Sequence, residues 1–505
     1  MVWAYPLRAE ETNQDPLAGI SLDDLASGKS SKVSAPKISA DFTGSIIDRI
    51  GAGLNYKPKD LDVATNQVYA FLQGSFALHP RISVLTSVLF DDFLGFSEKT
   101  RGRWAFEVRE AYGLFRLGKV ELKAGQQLFS WGTVDVINPT DWLNPRDYNR
   151  IIDVETGYDK LGIPALACNV FAGPMQLNVI GIPFHVPSRL DIIGGNTSLL
   201  GYQFPLETAL QKMRTDSQFE VLYRFLNNWV PDWQKDLQHL LDSEEFYNGH
   251  ITGVPQNFTA PEAATRLMFT FGRTNFYAAY AWLWDDLPTF YMNPKLTGLL
   301  KGLRRTEYGY GTLPPSEYID VSVLTDPFAA VYHRSHRVGV AFATSVKGFG
   351  IRGEAAFIDP YHWYDDNFEP VARSQTSWAF NLDYLFSDEL LLGVIYSGYA
   401  ISDFSKSLLA EPSYHTIMIT VRKPFLQDRL ELRLAGLLDL TYVIEGRPID
   451  SPADLDCTAY GTLIYNLTNN VKIGGGFNLF GGPLDTNFGY LRERSRIFTH
   501  VEFGF

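Results

Sequence analysis

The chain has 505 residues, 14% of them aromatic, two cysteines and a formal net charge of -13. An acidic balance of this size argues against a nucleic-acid partner, which needs a basic face, and two cysteines exclude a disulfide scaffold. No run of about 18 apolar residues occurs, so no transmembrane helix is expected.

Residues 1–37 are polar, rich in Ser, Asp and Lys and without periodicity, and read as a flexible periplasmic leader. The opening "MVWAYPLRAEE" lacks a basic start followed by an apolar core, so no intact signal peptide is visible. The sequence is expected to start at or near a processing site, with Met1 an addition. From Ile38 onward the texture becomes alternating. In "RWAFEVREAYGLF" the alternation breaks at the adjacent Arg109 and Glu110, where a bulge would restore it. "KVELKAGQ" sets Lys119, Glu121 and Lys123 against Val120, Leu122 and Ala124. "SWAFNLDYLF" opposes Trp378, Phe380, Leu382, Tyr384 and Phe386 to Ala379, Asn381 and Asp383. "RLELRLAGLLDL" puts Arg429, Glu431, Arg433, Ala435 and Asp439 on one face and Leu430, Leu432, Leu434, Leu438 and Leu440 on the other. The final "RSRIFTHVEFGF" alternates to the last residue, with Ile497, Val501, Phe503 and Phe505 opposed to Arg496, His500 and Glu502. A period of two is that of a strand whose faces meet different environments.

The joints carry as much information as the segments. Very short turns are expected at His79-Pro80, Leu117-Gly118, Gly173-Pro174, Arg273-Thr274, Lys347-Gly348, Ser387-Asp388, Gln427-Asp428 and Asn469-Asn470. Between them lie long connections at 94–101, 131–159, 184–262, 287–332, 359–373, 401–412, 441–454 and 483–493. Short turns at one end and long loops at the other are the asymmetry of an outer-membrane barrel. Two strands per hairpin, plus an opening and a closing strand, make about 18. The segment "DSQFEVLYRFL" at 216–226 could be an extra strand, but "WQKDLQHLLDSEEF" after it favours a helix inside the 184–262 loop. The expected fold is therefore all-β: residues 38–505 form one transmembrane antiparallel β-barrel in a bacterial outer membrane, with periplasmic turns and extracellular loops. A soluble all-β protein with one buried face is the competing reading, and it accounts for neither the asymmetry nor the aromatic load.

Candidate functional residues follow from this placement. Arg352, Glu354, Asp383, Arg422, Glu431 and Arg433 fall on lumen faces, where mixed charges in a confined channel select solutes. The same charges can also simply pair and fill the interior. In "NPTDWLNPRDY" Pro139 and Pro145 stiffen a loop, and Asn138, Asp141, Arg146 and Asp147 are candidates for a constriction, with Arg146 and Asp147 able to pair. A loop folded only for stability is the plainer alternative. The acidic pairs Asp91-Asp92, Asp285-Asp286 and Asp365-Asp366 are expected at strand tops, as a solvated rim or as divalent-cation ligands, without a firm metal site among them. His333 and His336 are three apart on a strand and point to opposite faces, so joint metal ligation is not expected. No HExxH, GxSxG, Gly-rich phosphate loop or CxxCH occurs, so neither an enzyme nor a cofactor is expected.

The stretch "WGTVDVINPTDWLNPRDY" at 131–148, through Trp131, Gly132, Asn138, Pro139, Asp141, Asn144, Pro145, Arg146 and Asp147, resembles the W-G…N-P…N-P-R-D stretch of a poorly characterised family of large Gram-negative outer-membrane porin-like proteins. "REAYGLFRLGKVELKAGQQLFSWG" and "YAAYAWLWDDLPTF" are similar to that family as well. The resemblance implies the barrel fold and the location, and no particular substrate. A closing strand ending in Phe also resembles the signal read by the outer-membrane assembly machinery. The expected partners are outer-membrane lipid and lipopolysaccharide, that machinery, and a small solute in a porin-like channel. The alternative is a barrel sheath holding a periplasmic or lumenal protein partner, such as a cytochrome conduit or a transport component. Inward folding of 184–262 and a lid at "NPKLTGLLKGLRR" (293–305) are further expectations.

Overall fold

Segments that alternate apolar and polar residues hydrogen-bond into one continuous sheet. The computed structural model describes residues 38–54, 64–95, 103–150, 157–189, 259–294, 328–366, 369–444, 455–483 and 486–505, together with Arg224, Asn227, Asp232, Gln234 and Lys235. Residues 1–37, most of 184–262, nearly all of 293–305 and most of the connection at 287–332 lie outside the described residues.

The first half of the sheet comprises β1 (Ser39–Gly53), β2 (Ala64–His79), β3 (Ile82–Gly95), β4 (Arg103–Leu117), β5 (Val120–Gln127), β6 (Ile163–Ala172), β7 (Met175–Ile182), β8 (Glu262–Phe271) and β9 (Thr274–Trp284). A separate small ladder, β10 (Thr289–Met292) with β11 (Phe328–Val331), lies in the connection that follows. The sheet resumes with β12 (Arg334–Val346), β13 (Phe349–Tyr364), β14 (Pro370–Leu385), β15 (Leu391–Ile401), β16 (Ser413–Phe425), β17 (Leu430–Asp439), β18 (Cys457–Asn466), β19 (Val471–Gly481) and β20 (Arg496–Gly504). Each strand pairs antiparallel with its neighbours, β9 pairs with β12, and β20 pairs with β1. The result is a closed barrel of 18 strands.

The last residue completes that closure. Gly44 and Phe505 exchange backbone hydrogen bonds of 2.9 and 3.0 Å, and the Phe505 ring covers the Gly44 backbone so closely that a Cβ there would lie 2.5 Å from it. A ring laid over a strand glycine shields its backbone where no side chain can.

All eight expected turns join consecutive strands. Four of them hold a glycine at positive φ, among them Gly173 at 61° and Gly272 at 60°, a region that L side chains enter at a cost. The bulge also forms. Ser87 pairs with Glu110 and Val88 with Val108, which leaves Arg109 as the extra residue. Val108 and Ala111 are exposed on the outside, so Arg109 and Glu110 both turn inward. The connection expected at 359–373 is mostly strand instead. After an irregularity between Ile358 and Tyr361, β13 and β14 stay paired up to Tyr364 and Pro370. The extension is held by an inward aromatic cluster of Trp363, Tyr399 and Tyr414.

The two faces differ as the alternation requires. Ile497, Val501, Phe503 and Phe505 are exposed on the outside, whereas Arg496 and His500 are buried on the inside. Apolar residues cover the outer wall on other strands too, including Phe106, Leu166, Val340, Phe380 and Leu463. Apolar surface this extensive is not tolerated in water, and a closed ladder leaves no unpaired backbone edge in hydrocarbon. Lipid is the environment both features suit.

Candidate functional site

Of the segment between β5 and β6, residues 128–150 and 157–162 fold into the lumen. Asn144 ties its neck: the side chain accepts from the Phe129 N–H at 2.6 Å and donates to the carbonyls of Gln127 (3.1 Å) and Leu161 (2.8 Å). Asp141 accepts from the Trp131 N–H at 3.2 Å and pairs with Lys160 at 2.6 Å, while Lys160 also donates to the Phe129 carbonyl.

From this neck the segment reaches one wall. Glu354 on β13 is buried and accepts from Thr133 Oγ1 (3.0 Å), Val134 N (2.6 Å), Thr140 N (3.2 Å) and Thr140 Oγ1 (2.7 Å), and from Thr133 N. An ionised carboxylate is the acceptor that satisfies so many donors at once. Val134, Val136 and Ile137 pack on Ala379 (β14), Ile395 (β15), Met418 (β16) and Ala435 and Leu437 (β17). Trp142 lies over Gly339 of β12, where a Cβ would come within 2.7 Å of the indole.

The other end of the segment is fixed to the opposite wall. Arg150, fully buried, pairs with Asp91 of β3 (2.8 Å), Glu107 of β4 (3.1 Å) and Asp147 (3.6 Å). Burial opposes its charge, but Asp147, Glu107 and Asp91 outweigh burial and raise its pKa. Arg103 reinforces the cluster through Asp91 at 2.9 Å, and Arg189 through Glu107 at 3.1 Å. Tyr158 rests on Tyr69 and Phe71 of β2, with the Arg109 guanidinium 5.1 Å from its ring centroid. Going round the ring from β4, β15 is the ninth strand in order (β5, β6, β7, β8, β9, β12, β13, β14, β15), half of an 18-strand circuit. The segment therefore spans the lumen.

Arg146 and Asp147 take different partners. Arg146 bonds to Asp159 and lies 3.7 Å from Asp141, whereas Asp147 faces Arg150, Arg103 and Arg189. Burial alone would raise the Asp159 pKa, but Arg146 and Lys160 bring it below the usual value. Asn138 curls against Gly132, where a Cβ would sit 2.4 Å from its side chain. All four loop candidates thus belong to this segment, and its charged ones pair with residues the sequence left unmarked: Asp159, Lys160, Arg150 and Arg103.

The lumen candidates lie a few residues from the turn end of their strands. Arg352 pairs with Asp383 at 2.9 Å and with Asp135 of the crossing segment, and Asn381 donates to Asp383 at 3.1 Å. Arg422 and Arg433 are direct partners in the β16–β17 register and share Glu431, which Arg422 reaches at 3.0 Å. Two cations facing each other across strands repel, so one carboxylate holds two half-exposed guanidinium groups together. Lys472–Glu502 (2.8 Å) and Arg116–Glu121 (3.2 Å) add similar pairs.

The acidic pairs do not gather. Asp91 lies within β3, buried in the Arg150 cluster, and Asp92 is on the opposite face of that strand. Asp285 accepts from Ser335 and Arg337. Asp365 accepts from the Glu369 N–H, and the Asp366 N–H donates to Ser407. Burial raises the pKa of Asp285 and takes that of Asp286 up to about 6. His336 is hydrogen-bonded to Tyr280 on the outer face, while His333 stacks on His362 with centroids 3.8 Å apart. Among the described residues, no three His, Cys, Asp or Glu come together as a metal site.

A closed antiparallel barrel with an even strand count, an apolar outer wall and a charged interior is a transmembrane β-barrel of the bacterial outer-membrane type. No protein-family model matches the chain, and neither does any curated protein sequence. Solved structures similar to it include Acinetobacter baumannii OccAB1 (8% identity, TM-score 0.46, 92% of this chain and 96% of that one) and Pseudomonas aeruginosa OccK11, or OpdR (7%, 0.45, 92% and 95%). Salmonella typhi OmpF in complex with daunomycin is a third (9%, 0.39, 92% and 97%). The class rests on this chain's own strands, faces and closure.

Proposed function

We propose that the protein is an outer-membrane channel for small solutes, narrowed by residues 128–150 and 157–162. The observation that carries this reading is the segment fixed to opposite walls of a barrel whose inner face bears exposed, paired charges. Barrels of about 16 to 18 strands enclose an aqueous lumen, whereas those of about eight are filled by side chains. The crossing segment divides that lumen without needing a partner to hold it, which leaves the sheath reading with no observation in its favour. The porin-like resemblance of residues 131–148 fits the same reading, with Asn144 and Asp141 as its structural anchors. The short turns face the periplasm and the long connections the exterior, as in other bacterial barrels.

Mixed-sign pairs at Arg352–Asp383 and Arg422–Glu431–Arg433 give the passage its selectivity, since charges in a confined pore are poorly screened. The test is conductance of the purified protein in a planar bilayer. Wild type conducts, and Arg433→Glu shifts the reversal potential toward cations with little change in barrel stability. Leu432→Glu, one residue away on the lipid face, destabilises the barrel by about 1 kcal/mol or less, since it lies near the turn end, and leaves selectivity nearly unchanged. A wild type that never conducts, or two variants that behave alike, overturns the reading.

A further inference from the structure

The tip of the crossing segment has a backbone that its sequence should resist. The Ile137 N–H donates to the Asp135 carbonyl at 2.8 Å, around Val136 at φ 71°. A hydrogen bond closing three residues about a positive φ is the rare, strained form of γ-turn. A β-branched residue is among the worst to place at its centre. Strain of this kind persists only where the surroundings over-determine it. Here they do so on both sides, with Glu354 holding the N–H groups of Thr133 and Val134 and the β14–β17 wall burying Val134 and Val136.

One carboxylate is placed by this arrangement. Val134 and Val136 are 2% and 4% exposed, while the Asp135 side chain between them is 62% exposed and reaches Arg352. Arg352 already holds Asp383 at 2.9 Å. A single guanidinium therefore faces two carboxylates, and the exposed one carries the unbalanced charge.

We infer that Asp135 is a selectivity-determining residue: its carboxylate, presented by the strained turn, makes the passage beside Arg352 favour cationic over anionic solutes. The inference rests on the channel reading. A unit charge within about 4 Å of a passing ion in a watery pore favours a cation roughly fivefold and disfavours an anion roughly fivefold, so it moves their permeability ratio by up to about 25-fold. The proposal concerns charge alone, so the conservative replacement must preserve the effect.

Reversal potentials in a potassium chloride gradient provide the test, on wild type, Asp135→Asn, Asp135→Glu and Arg352→Gln. The expected result for Asp135→Asn is a rise in anion-over-cation permeability of between about fivefold and about 25-fold that shrinks as bath salt is raised. Asp135→Glu should behave as wild type, and Arg352→Gln should move the ratio in the opposite direction. If wild type conducts and Asp135→Asn leaves the ratio unchanged, or if Asp135→Glu shifts it as far as Asp135→Asn does, the role of Asp135 is overturned while the channel stands. If wild type does not conduct, both fall together.

Discussion

Replacing Glu354 with Ala should release the crossing segment while leaving the barrel closed. The carboxylate accepts from three backbone N–H groups, of Thr133, Val134 and Thr140, and from two threonine hydroxyls. Hydroxyls can rotate to other acceptors, but backbone N–H groups cannot. Each hydrogen bond to a charged group is worth about 1.5–3 kcal/mol, so the three N–H bonds amount to roughly 4–9 kcal/mol gross. Desolvation of the buried carboxylate offsets part of this, leaving a net loss of roughly 2–4 kcal/mol from N–H groups without an acceptor. The loss is local, because β13 keeps its complete ladders to β12 and β14. Glu354→Ala should therefore conduct more per channel, and the stretch 131–143 should become open to protease. Migration of the unboiled barrel in gels should stay as in wild type. Glu354→Gln should fall between the two, since its amide turns an N–H toward groups that also donate. Unchanged conductance together with unchanged protease resistance would show that Glu354 does not hold the segment.

Gly339→Val should produce a similar opening by a steric route, since even a Cβ there would lie 2.7 Å from Trp142 and 2.9 Å from Thr140; Trp fluorescence that stays as in wild type would refute it. The stretch 486–489 should be less stable at neutral pH than in mild acid. Asp456, which accepts from Thr486 Oγ1 and from the N–H groups of Asn487, Phe488 and Gly489, has its pKa raised by burial to about 6. A carboxylate pKa above its unfolded value contributes stability that is fully present below that unfolded value and is lost as pH rises through about 6. Amide exchange at Phe488 and Gly489, corrected for intrinsic rates, should be slower near about pH 5 than near about pH 7.5. Asp456→Asn should remove the difference, and a difference that survives in Asp456→Asn would refute the assignment.

Much of the wall was legible because its signals are local. A turn such as Gly173-Pro174 and a face such as Leu430-Leu432-Leu434 are written within ten residues, and so was the bulge at Arg109-Glu110. The lumen positions of Arg352, Glu354 and Arg433 followed from parity alone. What those side chains touch did not, because Thr133 and Glu354 are 221 positions apart and no period links them. The same holds for Arg150, whose partners Asp91 and Glu107 lie 59 and 43 positions away. Residues 359–373 read as a loop because Pro360 and the acidic pair suggest one, yet aromatic packing in the lumen keeps most of them in strands. Asp135 had a signal that was available, a lone acid between two valines in "TVDVI". Its importance depends on the turn after it, which the residue types argue against.

The spacing of these anchors has a consequence for the order of assembly. The near wall for Asp147, Arg150 and Tyr158, on β1 to β4, precedes the segment in the chain, so half of its attachment exists once those strands are in place. The far wall, from β13 to β17, begins only at Phe349 and ends at Asp439. Contacts this distant in sequence form late, since closing the intervening chain costs entropy before they repay it. Until then Val134 and Val136 have no apolar surface to lie against, and the growing barrel carries the crossing segment untethered at one side. The crossing segment is fixed last, as a product of the wall's completion.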